Sequence, residues 1–600
     1  MESVNNENEL VETKEKELIE SKKENKKEKV KKDRTKLKNF VFSAAIIVIL
    51  FILAASIAPK VLQNDTFYTI KIGEYIYNNG IANLTEDVYS WHDLAYTYPH
   101  WLYDLIMFLI FNAFGHFGIY VSTMVLYGLL GTMIYLFAKN KSNNRVVSAI
   151  VAIFAVYMLE PYMAARAQSA TYILFIWAIF CIEKYLATYK KRYLVPLIVI
   201  PILITNLHCA VFPFYFVLFM PYLAEYLIAV IVDLDLDRKL MRLFLKLRIK
   251  IAKEDKEVKL KEKLEAFDEY TVVRKEKKAK LRENPYKIKV VKNHAMVVLI
   301  GVMIVAALTG FLNPAGTGAY TYLIKTYEGN TTQSINEHLP VTLIESPEFL
   351  TAIVVGMALL MFIDTKIRLP DLFMVAGLAF LALKSRRQIS MFIIFGLPVI
   401  ATLVSMVLRK YDKDKLTNWI FKFCTDIFGV IIIISLSVIA SVEDYKVRMN
   451  QDYISDSSYP VEAAAWIKEN LDLTTLKLYN EYNYGSYLLL NDIPVFIDSR
   501  CDLYTPEFNR DTGHGASGKD IFSDAINIAN RSANYEEKFE EYGVNHVMLY
   551  ADANLASALD TNSNYKKIYA DDRFVIFERL NVNAASETEA EGEKITSEES

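Results

Sequence analysis

The chain has 600 residues, of which 53% are hydrophobic and 13% aromatic, and a formal net charge of −3. Its apolar residues gather into runs of roughly 18 or more, long enough to cross a hydrocarbon core of about 30 Å, which excludes an ordinary soluble protein. The four cysteines, Cys181, Cys209, Cys424 and Cys501, show neither a CxxC pair nor metal-ligand spacing, so no disulfide framework and no zinc site are indicated.

Residues 1–39 are rich in lysine and glutamate and nearly free of apolar side chains before Phe40, a composition expected to stay disordered. The basic lead-in is too long for a cleaved signal, and the Ser56-Ile57-Ala58 candidate cleavage site is followed by Pro59. An uncleaved first span is expected. Basic residues Lys31 to Lys38 keep its start in the cytoplasm by the positive-inside rule.

Spans are then expected at about 40–58, 117–138, 146–159, 169–187, 194–207, 211–232, 295–312, 349–364, 371–383, 390–407 and 418–441. A juxtamembrane stretch, 102–114, precedes the second. About eleven spans place the N-terminus inside and the C-terminus outside, and nearly every basic cluster then falls inside. Span interiors are almost free of charge, which argues against a transporter.

The polytopic helical domain of 40–441 carries two long outer loops, 59–103 and 313–347, and a charged insertion, 233–293. Within the insertion Leu240, Leu243, Phe244, Leu247 and Ile251 share one helical face, beside Lys239, Arg242, Lys246 and Lys250. Such a helix either lies on an anionic membrane surface or is a solvated linker. Residues 442–580 read as a small extracytoplasmic α/β domain. A helix is expected at Val461 to Asn470, strands at Leu476 to Tyr479, Val495 to Ile497 and Val544 to Tyr550, and a hairpin at Lys567 to Arg579. An acidic tail, 581–600, is expected to be disordered.

With this topology Asp65, Arg166, His208, Glu337, Arg386 and Arg387 all fall on the outer side. Carboxylates and arginines at a lipid boundary suit chemistry on a lipid phosphate, because a guanidinium presents a rigid fork of donors and a carboxylate can act as general base. Each has a blander reading. Asp65 caps an amphipathic stretch, Thr66 to Tyr77; Arg166 snorkels at the interface; Glu337 is solvated; and His208 packs at a span end. Asp498, Arg500 and Asp502, at a strand end, read either as a structural salt-bridge set of the outer domain or as a contact to the acceptor. Four Asn-x-Ser/Thr sequons carry little weight.

The run from Asp65 through Gly73-Glu74, Asn79-Gly80 and Asp87-Val-Tyr-Ser90 to Trp101-Leu102 resembles the first outer loop of the GT-C superfamily, polytopic glycosyltransferases that use polyprenyl-phosphate sugars. Further marks of one branch follow in order: Arg166-Ala-Gln168, Asn206-Leu-His208, Asn313-Pro314, Glu337-His338, Ser385-Arg-Arg387, Tyr484-Gly485-Ser-Tyr487 and Val495-Phe-Ile-Asp498-Ser-Arg500. The resemblance implies that Asp65 is the catalytic base, with Glu337 a second acid, and that Arg166, Arg386 and Arg387 hold the donor phosphate. His208, Asp87 and Trp101 are further candidates. It implies a polyprenyl-phosphate sugar donor, an extracytoplasmic glycan, lipid or protein acceptor, membrane lipids around the chain and no nucleic acid. Many members carry two acids side by side in this loop. Here Asn64 precedes Asp65, so no tightly bound metal and no other cofactor are expected. The alternatives to a transferase are a scaffold, a transporter of lipid-linked glycans, or a ligase of preassembled glycans.

Overall fold

The computed structural model describes residues 33–580 except 84–85, 96–98, 235, 253, 284–287, 330–336, 338, 343–345, 364–366 and 511–517. Among the described residues six helices are long and apolar enough to cross a membrane: α1 (Asp33–Ile57), Trp101–Ser142, Ala167–Thr188, Cys209–Ile231, Arg386–Tyr411 and Ile427–Met449. Shorter apolar helices lie between them at Arg145–Met158, Leu194–Leu207, Ala295–Thr309, Pro347–Phe362 and Leu369–Lys384. The first ten expected spans overlap these helices, whereas the eleventh, expected at about 418–441, is divided: a separate helix, Lys415–Phe423, ends before Ile427–Met449 begins. Helix α1 already begins at Asp33, so residues 33–39 are helical rather than irregular. The rest of the two stretches expected to be disordered lies outside the described residues.

After α1 the chain turns into α2 (Asn64–Asn79), crosses an irregular segment, and enters α3 (Trp101–Ser142). Gly115 interrupts α3 at φ 60° and ψ −154°, a conformation open to a residue without a Cβ. The expected juxtamembrane stretch and second span are therefore two arms of one broken helix.

Three charges that flank the spans are buried together rather than solvated. The Lys141 ammonium, at the last turn of α3, lies 2.6 Å from Glu183 and 2.5 Å from Asp371, all three side chains at most 10% exposed. Tyr222 donates to the same Glu183 carboxylate at 3.0 Å. Three helices thus bring their charges together at the end remote from α2, where each offsets the cost of burying the others. Sequence spacing cannot show this, because the partners are 42 and 230 residues from Lys141. Nearby, β1 (Ile288–Lys289) pairs in parallel with β2 (Ile367–Arg368), tying the charged insertion to the bundle.

The C-terminal residues form an α/β unit around a sheet of order β3-β4-β6-β5: β3 (Leu478–Tyr479), β4 (His546–Tyr550), β5 (Tyr565–Ala570) and β6 (Phe574–Arg579). β3 and β4 are parallel, and the other pairings are antiparallel. The expected helix at Val461–Asn470 and the closing hairpin are present. Val495 to Ile497 is not a ladder strand. The Asn480 side chain accepts from Phe496 N at 2.8 Å and donates to Ile497 O at 2.7 Å, so one amide meets the backbone groups that a neighbouring strand would otherwise satisfy. Val495 makes a single bridge, to Ser90 of the first loop.

Helix α2 sits between the bundle and this unit. Phe67, Ile70, Ile72 and Ile76 are buried in the same apolar clusters as Tyr479, Leu488 and Phe496. At Gly73 the helix approaches α3 so closely that a Cβ would overlap the Asp104 carbonyl.

Candidate active site

The N-terminus of α2 is fixed by Asn64. Its side chain donates to the Tyr482 carbonyl at 2.8 Å and accepts from Ser486 N at 3.2 Å. A carboxylate at that position could accept but not donate. The second acid of the resemblance is thus replaced by an amide that clasps the C-terminal unit to the first loop. Asp65, the next residue, is in the first turn of α2 and lines a cavity of about 750 Å³.

Arg166, at the N-cap of the helix Ala167–Thr188, meets it there. Its guanidinium lies 2.9 Å from Asp65 and 3.1 Å from Glu337, so one cation bridges two acids from loops separated by more than 250 residues. Burial works against its charge, but the two carboxylates outweigh that and hold its pKa above the ordinary arginine value. Arg387 donates to Gln168 at 3.2 Å, and both residues line the same cavity. Arg386 instead lines an adjoining cavity of about 220 Å³ that shares Arg166, Gln168, Glu337 and Arg387 with the first. The backbone and side chain of Arg386 bond to the Leu339 and Pro340 carbonyls, which fixes the second loop over the site.

His208 also lines the larger cavity. Burial, with the charge of Arg387 adding to it, pushes its pKa well below the ordinary value, so its imidazole is neutral. Asp87 and Trp101 do not line either cavity. Asp87 is buried against Arg500 at 2.6 Å, and Arg500 continues to Asp498 at 2.6 Å, so the first loop is stapled to the C-terminal unit. Trp101 donates its indole N–H to Asn206 at 2.9 Å, and Asn206 in turn donates to the Leu312 carbonyl. Both are packing and tethering residues. Asp502 departs from the expected salt-bridge set as well, accepting from Tyr322 at 2.8 Å.

Two further cavity residues were not among those expected. His100 bonds to Tyr68 at 3.0 Å through one ring nitrogen and to the buried Asp104 at 2.7 Å through the other. Burial disfavours its charge, and the Asp104 carboxylate more than offsets that, so its pKa is raised. The signal available in the sequence was the i, i+4 spacing of a histidine and an acid at a helix start. Glu481 enters from the C-terminal unit, one residue from the carbonyl that Asn64 holds. One of its carboxylate oxygens is buried without a hydrogen-bond partner among the described residues. Burial, helped by Asp552 and opposed by the Tyr550 N–H, pushes its pKa up to about 7. No periodicity or motif marks it.

Among the described residues no three His, Cys, Asp or Glu side chains are grouped as metal ligands. The cation between Asp65 and Glu337 is a guanidinium. The arrangement offers a carboxylate in the wall of a cavity, a set of arginines able to grip phosphate oxygens, and a neutral imidazole in the same lining.

No protein-family profile and no curated protein matches the sequence. Solved structures do. The chain is similar to the apo oligosaccharyltransferase of Archaeoglobus fulgidus, at a TM-score of 0.50 and 12% identity, over 85% of this chain and 70% of that one. The same oligosaccharyltransferase tethered with an acceptor peptide containing the NVT sequon gives a TM-score of 0.50 and 12% identity, over 85% and 69%. ArnT from Cupriavidus metallidurans bound to undecaprenyl phosphate aligns at a TM-score of 0.41 and 10% identity, over 90% and 97%. The chain shares the fold of the Archaeoglobus fulgidus oligosaccharyltransferase.

Proposed function

We propose that the chain is a membrane glycosyltransferase that moves a sugar from a polyprenyl-phosphate donor to an extracytoplasmic acceptor held in the larger cavity. The observation that carries this reading is the convergence of Asp65, Arg166, Glu337 and Arg387, from four separate parts of the sequence, on that one cavity. A fold shared with an oligosaccharyltransferase supports it. The buried Lys141 cluster and its basic turn lie at the end of the bundle away from the cavity, which supports a site on the extracytoplasmic side.

In this reading Asp65 takes the proton of the acceptor hydroxyl as its oxygen attacks the anomeric carbon from the face opposite the phosphate. The bond from that carbon to the phosphate oxygen breaks, polyprenyl phosphate leaves, and the configuration inverts. Arg387 and Arg386, flanking the smaller cavity, hold the phosphate. Donors already in place where charge develops lower the barrier without reorganising during the reaction. Glu337 shares Arg166 with Asp65 and keeps that guanidinium turned toward the base.

The test is transfer of radiolabelled sugar from a polyprenyl-phosphate donor pool in membranes containing the chain. Asp65→Asn should lower turnover by about 10²- to 10⁴-fold, the usual worth of a general base. Arg387→Ala should weaken donor saturation as well as turnover. A chain that binds polyprenyl phosphate but never transfers sugar is a scaffold, and transfer unaffected by either substitution refutes the site assignment.

A further inference from the structure

The insertion that follows the helix Met220–Leu234 opens with a second helix, Leu236–Ile251, which folds back on Glu254–Glu283 as a hairpin. The contacts between the two use one face of the first helix. Arg238 donates to the Phe267 carbonyl at 3.3 Å and stacks over the Phe267 ring, and Arg242 pairs with Asp268 at 2.8 Å. Leu245 and Ile249, half-buried, belong to the same face. At about 100° per residue, Leu240, Leu243, Phe244, Leu247 and Ile251 point to the opposite side. Each of them is more than half exposed, up to 83% at Ile251. Lys239, Lys246 and Lys250 run along one edge of that apolar face, and Arg248 lies on the other edge.

Position says what covers this face. The span Cys209–Ile231 starts beside His208 at the cavity, and its 23 residues carry the chain about 35 Å away, to the far surface of the bilayer. The helix therefore starts at the level of lipid head groups. A second short helix repeats the arrangement. Lys415–Phe423 follows the span Arg386–Tyr411, whose first residues are at the cavity, so it too lies at the far surface. Leu416, Trp419 and Phe423 share its exposed face, with Lys415 and Lys422 along the edge. An exposed tryptophan at that level is an interfacial anchor.

We propose that the helix Leu236–Ile251 is a docking surface for anionic lipids in the leaflet opposite the cavity, its five apolar side chains inserted at the head-group boundary and its lysines on lipid phosphates or carboxylates. The apolar face alone would favour any bilayer; the row of ammonium groups beside it selects an anionic one. The proposal rests on the chain crossing the membrane and is independent of the chemistry in the cavity.

The experiment places a nitroxide at Leu247→Cys, and separately at Tyr270→Cys on the second helix of the hairpin, in the full chain in nanodiscs of phosphatidylcholine with or without phosphatidylglycerol. Collision with oxygen, which partitions into lipid, is compared with collision with a water-soluble nickel chelate. In the anionic discs position 247 should show an oxygen-to-nickel ratio roughly threefold or more above that of position 270, falling on replacement of Lys239, Lys246 and Lys250 by Gln. Three results would overturn the proposal: equal ratios at the two positions, the same high ratio at 247 in purely zwitterionic discs, or protection of 247 from both reagents. The last would mean that a protein surface or a second copy covers the face.

Discussion

Glu481→Gln should make the protein more stable as pH rises above about 4.5, with the full gain reached above neutral pH. The carboxyl ordinarily titrates near 4.5 and is pushed to about 7 by burial, so the folded state prefers it protonated. At about 1.4 kcal/mol for each tenfold change, that rise corresponds to a cost of about 3 kcal/mol for holding the ionised group in place. The sign follows from linkage. Below pH 4.5 the carboxyl is protonated in both folded and unfolded chains and costs nothing; between 4.5 and 7 the unfolded chain releases its proton first and stability falls; above 7 the full cost is present. Glutamine keeps an acceptor for the Tyr550 N–H and has no charge to bury. The difference in stability between variant and parent should therefore be near zero at pH 4 and reach about 3 kcal/mol by pH 8. Amide exchange of β3 and β4, which flank Glu481, reads it as slower exchange in the variant at pH 8 than in the parent, with the gap closing on acidification. A gap that does not change with pH, or a variant less protected at pH 8, would refute the reasoning.

Arg500→Met should cost about 3–5 kcal/mol, because it leaves the buried Asp87 and Asp498 carboxylates facing each other with no cation. Limited proteolysis should then release the C-terminal unit from the bundle. Gly73→Ala forces a Cβ into the Asp104 carbonyl and the Phe108 side chain and should lower stability by about 1–3 kcal/mol, read as earlier thermal unfolding in detergent. His100, whose pKa is raised, contributes stability that is complete below its unfolded value and is lost as pH rises through the folded one. His100→Gln should therefore flatten the alkaline side of the parent's pH–stability curve, and an unchanged curve would show that the Asp104 pair carries no linked proton.

Much of the fold was legible because the bilayer imposes a simple rule. A helix must be about twenty apolar residues long or lie packed among others that are, and such runs stand out without any knowledge of tertiary contacts. The hairpin β5–β6 was legible for a comparable reason: alternating apolar residues flank an Asp-Asp turn. What failed was anything decided by a single side chain reaching across the chain. Val495 to Ile497 has strand composition, yet Asn480 supplies its hydrogen bonds from 16 and 17 residues away. Lys141, Glu183 and Asp371 look in sequence like three unrelated flanking charges and are one buried cluster.

The site was legible in the same uneven way. The residues of the first resemblance fall into two physical groups that a sequence cannot separate. Asp65, Arg166, Gln168, Glu337, His208 and Arg387 line the large cavity. Asp87, Trp101, Asn206, Asn313 and Arg500 are polar or amphipathic too, but their partners are protein atoms: a salt bridge between Asp87 and Arg500, an indole to Asn206, and Asn313 on the Thr205 carbonyl at 2.6 Å. Both groups need particular hydrogen-bonding groups at particular places, so both leave motifs. The first group is paired within itself, Arg166 with Asp65 and Glu337, yet faces the cavity, whereas the second lines neither cavity, and that difference exists only once the chain is folded. Glu481 makes the converse point. It leaves no motif, yet its unpartnered oxygen beside the cavity is the kind of cost that a structural residue would not retain. Loops drawn together by the second group are what bring the first group to one place, so loss of the Asp87–Arg500 clasp should disperse Asp65 and Glu481 even though neither touches it.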